Sequence, residues 1–134
     1  MGSKGIVLSL LFFTAAGIGT YWTLVFFGVF EIIDVVPGYK DWFMSFPLAD
    51  GWIAVCALIS GIYLLRGNPA AGVFGIAAGS GLIFVGLCAL LYGFNTWLLF
   101  NITGEELIEI AIKLYCLSVG SYFIMYFGKA PNHF

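Results

Sequence analysis

The charged residues whose spacing suits chemistry lie close together in the last third of the chain. Glu105, Glu109 and Lys113 follow one another at intervals of four, so a helix would place them on one face, with Glu106 beside them. Their neighbours are apolar, and a charged lysine inside a membrane helix costs roughly 3 kcal/mol. We therefore expect Lys113 to point into a polar pocket and to pair with a carboxylate. The alternative is that the pair only orients the helix while the ammonium reaches out to the headgroups.

Further polar groups are expected at the same depth. A glutamate four residues before a lysine is the favourable order for an ion pair, which makes Glu109 a candidate partner of Lys113. Asp50 and Glu31 are candidate partners across the bundle, and Asn95 lies at a similar level. If these groups converge, they form a water-filled site for a ligand. If they do not, each one marks the point where its helix meets the headgroups.

The sequence has few of the residues that hold metals or cofactors. Cys56, Cys88 and Cys116 lie singly in apolar segments and form no C-x-x-C pair, so we interpret them as small buried apolar residues. The single histidine, His133, is close to the C-terminus. It cannot supply a His pair for haem or a Ser-His-Asp triad at the depth of the carboxylates. We expect no metal, no cofactor and no catalytic residue.

The composition indicates that the elements carrying these residues lie in a membrane. Apolar residues make up 62% of the chain and charged residues 9%, whereas soluble domains have about 45–50% and about 25%. A soluble domain of 134 residues could not bury so much apolar surface, so lipid must solvate much of it. The net charge of -2, with lysines and arginines scattered singly, argues against nucleic acid as a partner.

Four apolar segments are long enough to span a bilayer, which takes about 20 residues each. We predict an all-α membrane protein, a single domain of residues 1–134 that forms a four-transmembrane-helix bundle. The predicted helices cover about residues 6–33, 47–65, 70–97 and 105–127.

The third predicted helix carries a glycine at every seventh position, at Gly72, Gly79, Gly86 and Gly93. Glycine is unfavourable inside a helix, but it lets a neighbouring backbone approach closely, and such packing is the main attraction between helices in lipid. We call these four residues the glycine stripe and predict that it packs against another helix of the same chain. A second subunit is the alternative. Ile83 is expected to face lipid.

The two halves of the sequence look alike. Residues 15–19 (AAGIG) resemble residues 77–81 (AAGSG), and Gly61 falls near Gly120 in the same alignment. Two helices in each half would make a parallel 2+2 pseudo-repeat, related by an axis along the membrane normal. Coincidence among small residues in a glycine-rich chain is the alternative.

Basic residues near the helix ends predict the orientation in the membrane. Lys4, Arg66 and Lys129 fall on one side of the predicted bundle, and Lys40 falls on the other. The side with more lysine and arginine faces the cytoplasm by the positive-inside rule. We therefore predict a multi-pass protein of the cell membrane with both termini in the cytoplasm.

Three hypotheses of function follow. The leading one is a non-enzymatic membrane protein whose outward-facing polar cavity binds or transports a small or amphipathic ligand. The second is a structural or accessory subunit that packs through the glycine stripe into a larger complex, so that its partners are a second copy or another membrane protein, besides the lipid bilayer. The third, and weakest, is a membrane enzyme acting on lipid or quinone with Glu109 as proton carrier.

Overall fold

The computed structural model describes residues 2–101 and 104–129, and every regular element within them is helical. The helices are α1 (Ser3–Phe26), α2 (Tyr39–Phe43), α3 (Pro47–Leu65), α4 (Ala70–Asn95) and α5 (Gly104–Lys129), with a short 3-10 helix at Leu98–Phe100. Within these residues, four segments are long and apolar enough to cross a membrane: α1, α4, most of α5, and the stretch that contains α2 and α3. The predicted all-α bundle of four membrane helices is therefore confirmed.

The first helix is shorter than its sequence predicts. It ends at Phe26 rather than near residue 33, because Gly28 adopts a left-handed φ of 80°. The Gly28 N–H donates to the Val25 carbonyl at 3.1 Å, and the Val29 N–H donates to the Leu24 carbonyl at 2.9 Å. These two bonds form a Schellman ending, which glycine favours. The prediction was wrong here because hydropathy continues through the turn, whereas the helix does not.

The four long helices pack in the order in which they occur. α1 lies against α3, α3 against α4, and α4 against α5, with the most extensive contact between α4 and α5. The outer members of this row, α1 and α5, contact each other far less. The short helix α2 lies in the connection between α1 and α3, and we call that end of the bundle the α2 end.

Three glycines of the glycine stripe, Gly79, Gly86 and Gly93, pack against α5 of the same chain. All four glycines of the stripe are buried. A Cβ on Gly79 would lie 2.7 Å from the Gly120 carbonyl oxygen, and a Cβ on Gly120 would lie 2.7 Å from the Gly79 carbonyl oxygen. A Cβ on Gly86 would lie 3.2 Å from the Cys116 Cβ. The two backbones approach this closely only because neither glycine at the crossing has a side chain.

Two smaller expectations differ from the structure. Ile83 packs against α5, with its Cγ1 2.9 Å from the Cβ position of Gly120; one helical turn separates it from Gly79, so it shares the same contact. Gly17 and Gly19 have nothing within 4 Å of their Cβ positions, unlike Gly79. The likeness between the two halves of the sequence is therefore not reproduced in how these glycines pack.

Candidate ligand-binding chamber

A cavity of about 480 Å³ lies between α1 and α5 and extends toward the α2 end. Its volume is in the range of small-molecule pockets, roughly 300–1,000 Å³. We call it the chamber, and residues from all five α-helices line it. These are Phe13, Thr14, Gly17, Ile18, Tyr21 and Trp22 of α1; Trp42 and Phe43 of α2; Phe46 and Asp50 at the start of α3; Leu82, Val85 and Ala89 of α4; and Ile108, Glu109, Ala111, Ile112, Tyr115 and Cys116 of α5.

The chamber opens sideways between α1 and α5. Phe13 on α1 is 64% exposed, and Ile108 on α5 is 61% exposed, yet both line the chamber. Gly17 and Ala111 are also exposed and face it from the same two helices. α1 and α5 contact each other little, and the opening lies between them. Both helices are long and apolar enough to span a membrane, so the opening runs along two membrane-spanning segments. In a bilayer, this opening would face lipid.

A hydroxyl pair joins the two sides of the chamber. Thr14 Oγ1 of α1 and Tyr115 Oη of α5 are 2.6 Å apart, and either can be the donor. The ring of Tyr115 also packs on that of Phe13, with centroids 5.9 Å apart. A buried hydroxyl without a partner would destabilise the fold, so this bond favours the observed spacing of α1 and α5.

Aromatic side chains of α2 cover the chamber at the α2 end. Phe43 is buried against Trp22, with ring centroids 5.4 Å apart. Trp42 stacks on Tyr92 of α4, with centroids 3.9 Å apart and planes 8° from parallel. These contacts bring a segment of the connection between α1 and α3 over the cavity. The predicted helices left this segment outside any helix, although four aromatic residues between positions 39 and 46 were a signal for packing.

Asp50 of α3 places a carboxylate in the lining of the chamber. The indole Nε1 of Trp22 donates a hydrogen bond to Asp50 Oδ2 at 2.7 Å. This bond crosses from α1 to the first turn of α3, where the helix dipole also favours a negative charge. Trp22 is 7% exposed, so Asp50 is held by a rigid, buried donor at the edge of an apolar space.

The charged group of α5 lies beside the chamber. Lys113 Nζ is 3.5 Å from Glu106 Oε1, and both residues are buried, at 7% and 8% exposure. A Cβ on Gly93 of α4 would lie 3.1 Å from the Lys113 Nζ, so the last glycine of the stripe makes room for the ammonium. A small cavity of about 20 Å³ adjoins this pair, and Glu109 lines both it and the chamber.

The structure brings some of the predicted site residues together and leaves others apart. Asp50 and Glu109 line the chamber, and Lys113 lies next to it. Lys113 forms an ion pair with Glu106, two helical turns away. Glu31 is exposed because α1 ends before it, and Asn95 is exposed at the end of α4. Neither lines the chamber.

The structure also differs from the water-filled ligand site that the sequence predicted. The lining of the chamber is mostly apolar, and its carboxylates are set among aromatic rings. The prediction counted the polar residues near the helix ends, but Glu31 and Asn95 are exposed and do not line the chamber. At the α2 end, the chamber is lined by the aromatic side chains of α2 instead. Trp22, Trp42 and Tyr115 were missed as lining residues, since their spacing alone does not tell which helix they face.

Metal binding has no candidate site among the residues that the structure describes. Within them, no group of three or more histidine, cysteine, aspartate or glutamate side chains is placed to hold an ion. The three cysteines are free thiols, two of them buried. His133 lies outside the described residues.

Comparisons of the chain with protein-family models, with curated proteins and with solved structures find no match.

Proposed function

We propose that this membrane protein binds a small amphipathic molecule in the chamber and takes it up from the bilayer. The chamber is the observation that carries this proposal. It is large enough for such a ligand, mostly apolar, and supplied with a few polar groups, which is the usual make-up of a small-molecule site. Its opening between α1 and α5 gives a molecule dissolved in lipid a direct path to it.

Binding is the part of the proposal that the geometry supports best, and transport would build on it. An amphipathic ligand could enter from the lipid with its apolar part first and place its polar part near Asp50 or Glu109. In the predicted orientation, the α2 end faces the outside of the cell membrane and both termini face the cytoplasm. The chamber would then lie in the outer part of the bilayer.

The glycine stripe gives no support to the accessory-subunit hypothesis. Gly79 and Gly86 are occupied by α5 of the same chain, so this surface is not free to receive a partner. An interface with a second copy or another protein would have to use a different surface.

Two tryptophans of the chamber provide the test. Trp22 and Trp42 line it, whereas Trp52 and Trp97 are exposed at 59% and 72%. In a Trp52→Phe, Trp97→Phe background, the remaining emission therefore reports on the chamber. We expect saturable energy transfer from these tryptophans to N-phenyl-1-naphthylamine, a neutral apolar fluorophore, with the protein in lipid nanodiscs.

Two glycines on α1 offer a matched control for that test. Gly17 lines the chamber, Gly19 does not, and neither has an atom within 4 Å of its Cβ position. Gly17→Leu should fill part of the chamber and remove the saturable signal, while Gly19→Leu should leave it unchanged. Loss of the signal in both variants, or in neither, would contradict a binding site in the chamber.

A further inference from the structure

The charges that face the chamber are all of one sign. Asp50 reaches it from α3 and Glu109 from α5. Among the described residues that line the chamber, none is a lysine, an arginine or a histidine. The chamber therefore presents two acidic side chains, on different helices, to any molecule that enters it.

The nearby ammonium is held apart from this space. Lys113 lines the small neighbouring cavity rather than the chamber. Its Nζ is 3.5 Å from Glu106 Oε1 and fits the space left by Gly93. Together these groups are three carboxylates, those of Asp50, Glu106 and Glu109, and one ammonium, that of Lys113. The region therefore retains an excess of acidic groups, whichever carboxylate pairs with the ammonium. Lys40, on α2, is exposed and does not line the chamber.

The rest of the lining suits a cation with an apolar body. The aromatic side chains of Tyr21, Trp22, Trp42, Phe43 and Phe46 line the chamber. Aromatic faces attract cations, and tryptophan does so most strongly, particularly where water is excluded. An anion would be repelled by the two carboxylates and by the negative faces of aromatic rings. A neutral molecule would do nothing to balance the excess of acidic groups in this region.

We propose that the ligand class of the chamber is a lipophilic organic cation, held between the carboxylates of Asp50 and Glu109 and the aromatic rings around them. This inference rests on the proposed function, because it names the chemistry of the molecule that binds in the same chamber. It excludes lipophilic anions of the same size and shape.

Two ions of nearly equal size and opposite charge test the sign of the site. Tetraphenylphosphonium and tetraphenylborate differ mainly in charge, so binding of both to the protein in nanodiscs isolates the electrostatic contribution. The two ions also partition differently into lipid. To correct for this, the signal of the Gly17→Leu variant, whose chamber is filled, is measured for each ion and subtracted. We expect the cation to bind at least about tenfold more tightly than the anion, which corresponds to about 1.4 kcal/mol.

Amide variants identify the residues responsible. Asp50→Asn keeps an acceptor for the Trp22 indole, and Glu109→Gln keeps the size of the side chain. Each should weaken tetraphenylphosphonium binding by about tenfold or more, while the affinity for neutral N-phenyl-1-naphthylamine stays within about twofold. Asp41→Asn is the matched control, since Asp41 is exposed on α2 and does not line the chamber. It should leave the affinity for the cation unchanged.

The outcomes separate the two proposals. Binding of the neutral fluorophore together with equal affinities for the two ions would overturn the cation inference and favour a neutral, lipid-like occupant. Absence of chamber-dependent binding for all three probes would overturn the proposed function itself. If either amide variant fails to fold, the comparison of the two ions on the unaltered chain still decides the sign of the site.

Discussion

The ammonium of Lys113 occupies the space that a side chain on Gly93 would fill. A Cβ on Gly93 would lie 3.1 Å from the Lys113 Nζ, and that Nζ lies 3.5 Å from Glu106 Oε1. The absence of a side chain on α4 thus permits a buried ion pair on α5. The glycine stripe has two roles along its length: it brings two backbones together at Gly79, and it accommodates a charge at Gly93.

Gly93→Leu should therefore displace the ammonium and lower the stability of the protein. The new side chain would compete for the space of Lys113 Nζ and separate it from Glu106, leaving charges poorly solvated in a buried place. Thermal unfolding in detergent should show a lower midpoint. In a Lys113→Met background, the same substitution should cost less, because no ammonium has to move. An equal loss in both backgrounds would show that Gly93 serves only backbone packing.

Lys113→Met should destabilise the protein, because it removes the ammonium that lies 3.5 Å from the Glu106 carboxylate. Removing one partner of a buried ion pair typically costs about 3–5 kcal/mol. The double variant Lys113→Met, Glu106→Gln should recover part of that loss, since it leaves no unpaired charge of the pair. Unfolding free energies measured in mixed micelles would give the coupling. If the single change is neutral, the pair makes no net contribution to the stability of the bundle.

Gly79→Ala should lower stability although alanine is the better helix former. The added Cβ would lie 2.7 Å from the Gly120 carbonyl oxygen, which belongs to a backbone and cannot turn aside. Overpacking of this kind costs typically about 1–3 kcal/mol. The control is Gly19→Ala, where nothing lies within 4 Å of the new Cβ. The unfolding midpoint should fall for the first variant and stay level or rise for the second; equal shifts would contradict a close crossing.

Tyr115→Phe should loosen the contact between α1 and α5. It removes one half of the 2.6 Å bond between Thr14 Oγ1 and Tyr115 Oη while keeping the ring that packs on Phe13. Because few other contacts join these helices, we expect a wider chamber opening. Spin labels on exposed positions of α1 and α5 should report a broader distance distribution by electron paramagnetic resonance. Tyr126→Phe, on the same helix but not lining the chamber, should leave the distribution unchanged.

The predicted orientation can be tested by labelling cysteines from outside the cell. In a background without Cys56, Cys88 and Cys116, single cysteines replace Gly2, Val35 or Gly128, which are all exposed. The positive-inside rule predicts that an impermeant maleimide reaches position 35 in intact cells and reaches positions 2 and 128 only after permeabilisation. Labelling of positions 2 and 128 in intact cells would reverse the assignment.

The sequence alone was sufficient for the membrane setting, for the four helices and for most of their limits. Runs of about 20 apolar residues have few alternatives in a chain that cannot bury them in water. The heptad spacing of Gly72, Gly79, Gly86 and Gly93 also predicted that one face of α4 would lie close to another helix. These features depend on the local order of residues, which hydropathy and periodicity describe directly.

The tertiary structure decided which side chains meet. Glu109 and Asp50 share the chamber while Glu31 and Asn95 lie outside it, because Gly28 ends α1 early and because the rotation of each helix is set by its neighbours. Likewise, the ion pair between Lys113 and Glu106 needs the space at Gly93, which lies twenty residues before Lys113 in the sequence. In lipid, apolar residues can face either the bilayer or another helix at little difference in free energy. Hydropathy therefore cannot rank the possible arrangements of the bundle, and only close packing and the pairing of buried polar groups select one.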